Sequence, residues 1–172
     1  VSPGPGSFPG VRIGVSAVKG IAQPLGKNCI CVSTLEVIAK SLENTGCYAV
    51  SVMDARCNQV YTAQFDCKDG FKRVTEDSAV TIDELGEQLK EVDSNIVLIG
   101  DGTEVAYKKL KDIIPDIKKA SPTVRYQSAS DVALIAFERF NDDNCVAVTA
   151  HEVLPNYLRL SQAERELKNK NK

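Results

Sequence analysis

Between Val11 and Leu25 the clearly polar side chains are Arg12, Ser16, Lys19 and Gln23. At about 100° per residue they share an arc of roughly 60°, so the spacing predicts a helix with one narrow wet stripe. Pro9 suits its first turn and Gly26 stands just past its end. Everything else on this helix is apolar or small and covers roughly 220°, about twice the stripe needed to dock on one sheet. Two readings stand: a helix sandwiched inside its own fold, or one that keeps a side for a partner. Gly10, Gly14 and Ala17 leave flat ground on which another helix could approach closely.

Further along, the pattern alternates between strand and helix. A short apolar run, Asn28 to Val32, reads as a strand, and Ser33-Thr34-Leu35-Glu36 has the spacing of a capping box opening a helix to about Glu43. Cys47 to Met53 and Val60 to Phe65 read as strands joined through Asp54 to Gln59, with a third strand expected from Gly70 to Thr75. Thr81-Ile82-Asp83-Glu84 is a second capping box, starting a helix to about Val92. Asn95 to Ile99 is a buried-type strand, followed by Gly100-Asp101-Gly102-Thr103 and a helix through Ile114 that stops before Pro115. A short strand over Val124 to Gln127, a helix from Ser130 to Phe140 capped by Ser128, and a last helix over Leu160 to Leu167 complete the expectation. Interleaved strands and helices around a central hairpin or meander define an α/β class with a mixed sheet.

Composition narrows the chemistry. With 21 basic and 23 acidic side chains in 172 residues the formal charge is −2, and there is no block of clustered cations for nonspecific nucleic-acid or membrane binding. A hydrophobic share of 43% supports a real core and rules out a disordered or collagen-like chain. No run of apolar residues is long enough to span a bilayer. The chain opens Val1-Ser2-Pro3 without an initiator methionine, which carries the expectation that the natural beginning is missing. Cys29, Cys31, Cys47, Cys57, Cys67 and Cys145 show no C-x-x-C spacing, so reduced thiols in a cytoplasmic protein are expected, with a secreted disulfide framework as the alternative.

His151 is the single histidine. A Ser-His-Asp triad would need its base there, and paired-histidine metal sites are impossible. Its local string, Ala150-His151-Glu152-Val153-Leu154-Pro155, offers no second ligand at helical spacing, which favours a loop or surface histidine. Gly4-Pro5-Gly6-Ser7-Phe8-Pro9-Gly10 resembles a nucleotide loop only superficially: no Gly-Lys-Ser/Thr follows, and Pro9 removes a donor from the helix start, which favours tight-turn packing. Gly6 and Ser7, with Gly100 and Gly102, are nevertheless the candidate nucleotide- or anion-facing positions. Asp54 and Arg56 at a strand end fit an active-site pair or a turn aspartate accepting backbone N–H groups. The lysines at 108, 109 and 111 and at 168, 170 and 172 fit solvated faces.

Several strings then match one family in order. Gly4-Pro5-Gly6-Ser7-Phe8-Pro9-Gly10-Val11-Arg12-Ile13-Gly14 resembles the G-P-G-S-F-T-G-[LV]-R-I-G signature of the bacterial TsaB proteins, also called YeaZ. Met53-Asp54-Ala55-Arg56, Gly100-Asp101-Gly102, Ser130-Asp131-Val132-Ala133 and Pro155-Asn156-Tyr157-Leu158-Arg159 follow in the family's order, so the likeness spans the chain. Pro9 departs from the usual threonine, removing any hydroxyl role there.

The resemblance implies an actin-like ATPase, RNase H-like fold whose N-terminal lobe is incomplete. The expected divisions are a remnant of that lobe over 1–33, a C-terminal α/β lobe over 34–150, and a C-terminal segment and helix over 151–172. It also implies a noncatalytic cytoplasmic subunit that binds TsaD, with the ATPase TsaE, for threonylcarbamoyl transfer to the adenosine next to the tRNA anticodon. On that reading there is no catalytic residue, metal or cofactor, no membrane contact, and tRNA is met only indirectly. The family's use of the helix after G-P-G-S-F implies an interface at Gly10, Gly14, Ala17, Val18 and Ile21, serving TsaD or a homodimer through the Val11–Leu25 helix. The rivals are an ATP-hydrolysing or acyl-transferring enzyme of the same superfamily, the older glycoprotease-like label, with Asp54 and Asp101 as carboxylates, and a hydrolase pairing Cys57 or Ser7 with His151.

Overall fold

The computed structural model describes residues 1–159. Its elements run α1 (Phe8–Ala22), α2 (Thr34–Lys40), β1 (Cys47–Asp54), β2 (Gln59–Cys67), β3 (Lys72–Arg73), β4 (Ser78–Thr81), α3 (Ile82–Leu89), β5 (Ile96–Ile99), α4 (Thr103–Leu110), β6 (Lys118–Lys119) and α5 (Ala129–Phe140). The expected helix over Leu160 to Leu167 lies outside the described residues.

One mixed sheet has the order β3-β2-β1-β5-β6, with β4 also on β2. β1 and β2 form a long antiparallel hairpin from Cys47↔Cys67 to Asp54↔Val60, and β5 and then β6 add in parallel on the other side of β1. β3 and β4 pair with successive parts of β2: of the strand expected from Gly70 to Thr75 only Lys72–Arg73 forms, and Ser78–Thr81 is a strand the spacing did not predict. Between β3 and β4 the chain loops out where Val74 and Thr75 both donate to the Gln64 carbonyl and the Thr75 hydroxyl accepts from Gln64 N–H.

Alternation along β1 builds the two layers. Val50 and Val52 join Ile82, Leu85, Leu89, Leu98 and Leu110 under α3 and α4. Ala49 packs with Leu35, Ala39, Ala63 and Phe65 under α2. Ser51 points to that same side and donates to the Leu35 carbonyl at 2.7 Å. Small residues at 49, 51 and 63 let α2 lie close to the sheet.

The capping box at Thr81 forms in full: its hydroxyl accepts from Glu84 N–H at 3.2 Å while the Glu84 carboxylate accepts from Thr81 N–H at 2.8 Å. Thr81→Ala is expected to cost about 1 kcal/mol in urea unfolding. A change below a few tenths would show that α3 is held by packing alone.

Three expectations differ from what forms. Among the described residues Asn28 to Val32 makes an isolated bridge, Cys29↔Val148, and joins no ladder of the sheet. Val124 to Gln127 is not a strand: a 3-10 turn spans Pro122–Val124, Ser121 caps it, and Pro122 has no N–H for a ladder. The outer parallel partner of β5 is instead Lys118–Lys119. At Ser33 the hydroxyl caps α2, accepting from Leu35 and Glu36 N–H, but the Glu36 carboxylate turns away to two arginines.

Candidate functional site: an exposed helix face beside a charged cleft

Ser7 ends the extended opening run and starts α1, its hydroxyl accepting from Gly10 N–H at 3.2 Å. A Cβ at Gly10 would sit 2.6 Å from that hydroxyl, so glycine is what the cap tolerates. Gly4 has φ +128 and lies against the Asn156 backbone, while its carbonyl accepts from Thr34 N–H. The Gly/Pro run is thus wedged between the start of α2 and the segment 155–157.

The broad apolar arc of α1 divides in two. Val11, Val15, Val18 and Ala22 lie within about 60° of one another and pack on Cys29, Val148, Ala150 and Val153. These partners are irregular segments, so α1 docks on loops and a single bridge, not on its sheet. The polar stripe is tied to the same C-terminal stretch. Arg12 stacks over Phe8 at 3.8 Å and donates to the Tyr157 hydroxyl at 2.6 Å, and Lys19 donates to the carbonyls of His151 and Val153. The remaining arc, about 120° wide, holds Gly10, Ile13, Gly14, Ala17, Gly20 and Ile21, all exposed. Ile13 is 70% and Ile21 66% exposed, and a Cβ built at Gly14 or Gly20 meets nothing within 4 Å.

Four of the five expected interface residues therefore share the open face. Val18 does not: it is half-buried on the docked side against Ala150 and Val153. Ile13 and Gly20 also belong to the face, beyond the residues the resemblance implies. The spacing of Val11, Val15, Val18 and Ala22, at i, i+4, i+7 and i+11, was the signal that separates the docked side.

Beside the start of α1 lies an open cleft of about 480 Å³, bounded by Gly6, Ser7 and Phe8 on one side and by Asp54, Arg56 and Asp101 on the other. Asp54 accepts from Arg56 N–H at 2.7 Å, and Asp101 accepts from Asp54 N–H at 3.2 Å. Arg56, Cys57 and Asn58 are consecutively left-handed, with φ of 62, 52 and 59. The turn aspartate reading is thus the one observed, and Arg159 buttresses the turn by donating to the Ala55 carbonyl.

Gly100 and Gly102 are buried and do not line the cleft. Gly102 N–H donates to the Val52 carbonyl at 3.1 Å, which leaves it no bond for an anion. A Cβ there would lie 2.9 Å from Asp54 N. The two glycines let the β5–α4 turn press on the end of β1.

His151 sits exposed in a turn. Lys19, which holds its carbonyl, stands about 18 Å along the helix from Ser7, so the Ser7–His151 pairing is not assembled. Among the described residues no group of three or more His, Cys, Asp or Glu side chains could hold a metal ion. No described helix is long and apolar enough to cross a membrane. The six cysteines are free thiols. Cys47 faces Cys67 across the hairpin, and a hydrogen bond from Cys67 shifts the Cys47 thiol downward.

A mixed sheet with an antiparallel β1–β2–β3 meander, two strands added in parallel beside β1 and helices on both faces is the arrangement of an actin-like, RNase H-like α/β protein. Two solved structures share it: one described as an uncharacterized protein with similarity to peptidase YEAZ from Pseudomonas aeruginosa (TM-score 0.72, 23% identity, 92% of this chain and 71% of that one), the other as YeaZ from Pseudomonas aeruginosa (TM-score 0.66, 22% identity, 91% and 72%). A sequence model of the family described as "TsaD: tRNA N6-adenosine threonylcarbamoyltransferase" matches residues 1–167. The tRNA threonylcarbamoyladenosine biosynthesis protein TsaB of Bacillus subtilis (strain 168) is 31% identical over 95% of this chain and 70% of its own length. The protein of the same name from Escherichia coli (strain K12) is 31% identical over 97% and 72%. The chain belongs to the TsaB (YeaZ) family.

Proposed function

We propose that the chain serves tRNA threonylcarbamoyladenosine biosynthesis as a noncatalytic interaction subunit that docks on a TsaD-type threonylcarbamoyltransferase through the open face of α1. The names of its relatives support the pathway. The observation that carries the docking is the uncovered stripe of Gly10, Ile13, Gly14, Ala17, Gly20 and Ile21, where small residues alternate with exposed isoleucines. The noncatalytic reading is supported by Asp54 and Asp101, each of which spends a carboxylate oxygen on a backbone N–H of the turn. Acting by contact, such a subunit binds an active arrangement of its partner better than an inactive one and shifts that population. A TsaE-type ATPase completes the assembly, tRNA is met through the partner, and the compartment is the cytoplasm.

Gly14→Arg tests the docking, because the site is open and an arginine there does not disturb the chain's own packing. Co-purification with a TsaD homologue is expected to fall at least tenfold, with the unfolding midpoint unchanged. Undiminished capture would remove α1 from the interface. Sedimentation of the free chain reports whether a second copy uses the same face.

A further inference from the structure

Helix α5 has an exposed face of its own that none of the described residues covers, unconnected with the pathway reading. Ile135, Val132 and Ala136 pack inward on Ile30, Val32 and Val37, and Arg139 turns inward to the Cys31 carbonyl and Glu36. The opposite side gathers Ala133, Leu134, Phe137 and Phe140 within an arc of about 120°. Phe137 is 64% and Phe140 68% exposed, on a helix whose sole cation faces the other way. Two exposed phenylalanines one turn apart are the residue type that anchors interfaces.

The rim decides what can sit there. Asp131 edges one flank beside Glu138, whose carboxylate is held by Lys40, and exposed Asp142 and Asp143 follow the helix end, where the helix dipole adds negative potential. A second copy docking face to face would set these carboxylates against their equivalents, and an anionic lipid surface would meet the same repulsion. A basic-edged surface meets attraction. We infer that the α5 face receives an amphipathic helix of a partner protein, its apolar side on Phe137 and Phe140 and its Lys/Arg edge on the acidic rim.

The test uses the full chain and two labelled synthetic helical 18-mers with leucine at i, i+3, i+4 and i+7, one edged with lysine and the other with glutamate, read by fluorescence anisotropy. The lysine peptide is expected to bind at least tenfold tighter, and to weaken as salt rises. Phe137→Ser with Phe140→Ser is expected to abolish that binding and Asp143→Lys to reduce it severalfold, while Gly14→Arg leaves it unchanged. All these positions are exposed, so unfolding midpoints should stay within error of the parent. Equal binding of the two peptides, or binding indifferent to the phenylalanine changes, would overturn the inference. So would sedimentation showing a dimer lost with Phe137→Ser, or vesicles of phosphatidylglycerol captured through the same residues.

Discussion

Gly100→Ala is expected to lower stability by more than about 4 kcal/mol, enough to leave much of a marginally stable chain unfolded. Gly100 has φ +119, and the new methyl would be driven into the carbonyl of Val52, lying 3.0 Å from its carbon and 3.3 Å from its nitrogen. Both obstacles are backbone atoms of β1, the central strand, which is paired on both sides and cannot retreat without opening a ladder. Strain and collision act together, since an L-residue also resists this backbone region. Urea unfolding or soluble yield reads the result. A variant within about 0.5 kcal/mol of the parent would mean that the loop stands off the strand, as an open anion-binding loop would.

Glu36→Ala is expected to cost about 3 kcal/mol, at the low end for a broken buried ion pair because Arg139 is partly solvated. The Glu36 carboxylate takes both 2.7 Å bonds from Arg139 and one of 3.0 Å from Arg73, whose other nitrogen holds Asp77 at 2.8 Å. Ser33, the cap of α2, donates to Asp77 at 2.6 Å. One carboxylate thus fastens the start of α2 to α5 and to the strand break between β3 and β4. A second clamp lies a turn later, where Lys40 reaches Glu138 and Glu43. Burial alone would depress the Lys40 ammonium, but the bonds to those two carboxylates raise it. In a double-mutant cycle Glu36→Ala and Arg139→Ala should couple by at least about 1 kcal/mol. Additive losses would show that the pair is incidental.

Both predictions rest on contacts that sequence spacing did not reveal. Ser33 to Glu36 carries the same capping-box pattern as Thr81 to Glu84, yet only the second closes on itself. Glu84 faces solvent and finds no better partner than the Thr81 N–H. Glu36 faces two arginines brought from 37 and 103 positions further on. In the same way the Gly100-Asp101-Gly102 string marked a turn correctly but not its neighbour. The strand it presses on lies 48 residues earlier, at Val52 and Asp54.

What the sequence by itself determined was local or carried by whole motifs. Periodicity placed α1, the β1–β2 hairpin, α3, β5 and α5, because each is dictated by its own apolar spacing and caps. The motif order carried the family. The 220° apolar arc of α1 was legible too, but its division was not: a helix seen alone carries no record of which apolar side is covered. Tertiary structure made that choice by setting Val148, Ala150 and Val153 against Val11, Val15, Val18 and Ala22, leaving Gly14, Ala17 and Ile21 to water. It likewise decided that Gly100 and Gly102 serve packing and that Glu36 serves two distant arginines, since burial and ion pairing depend on residues far apart in the chain.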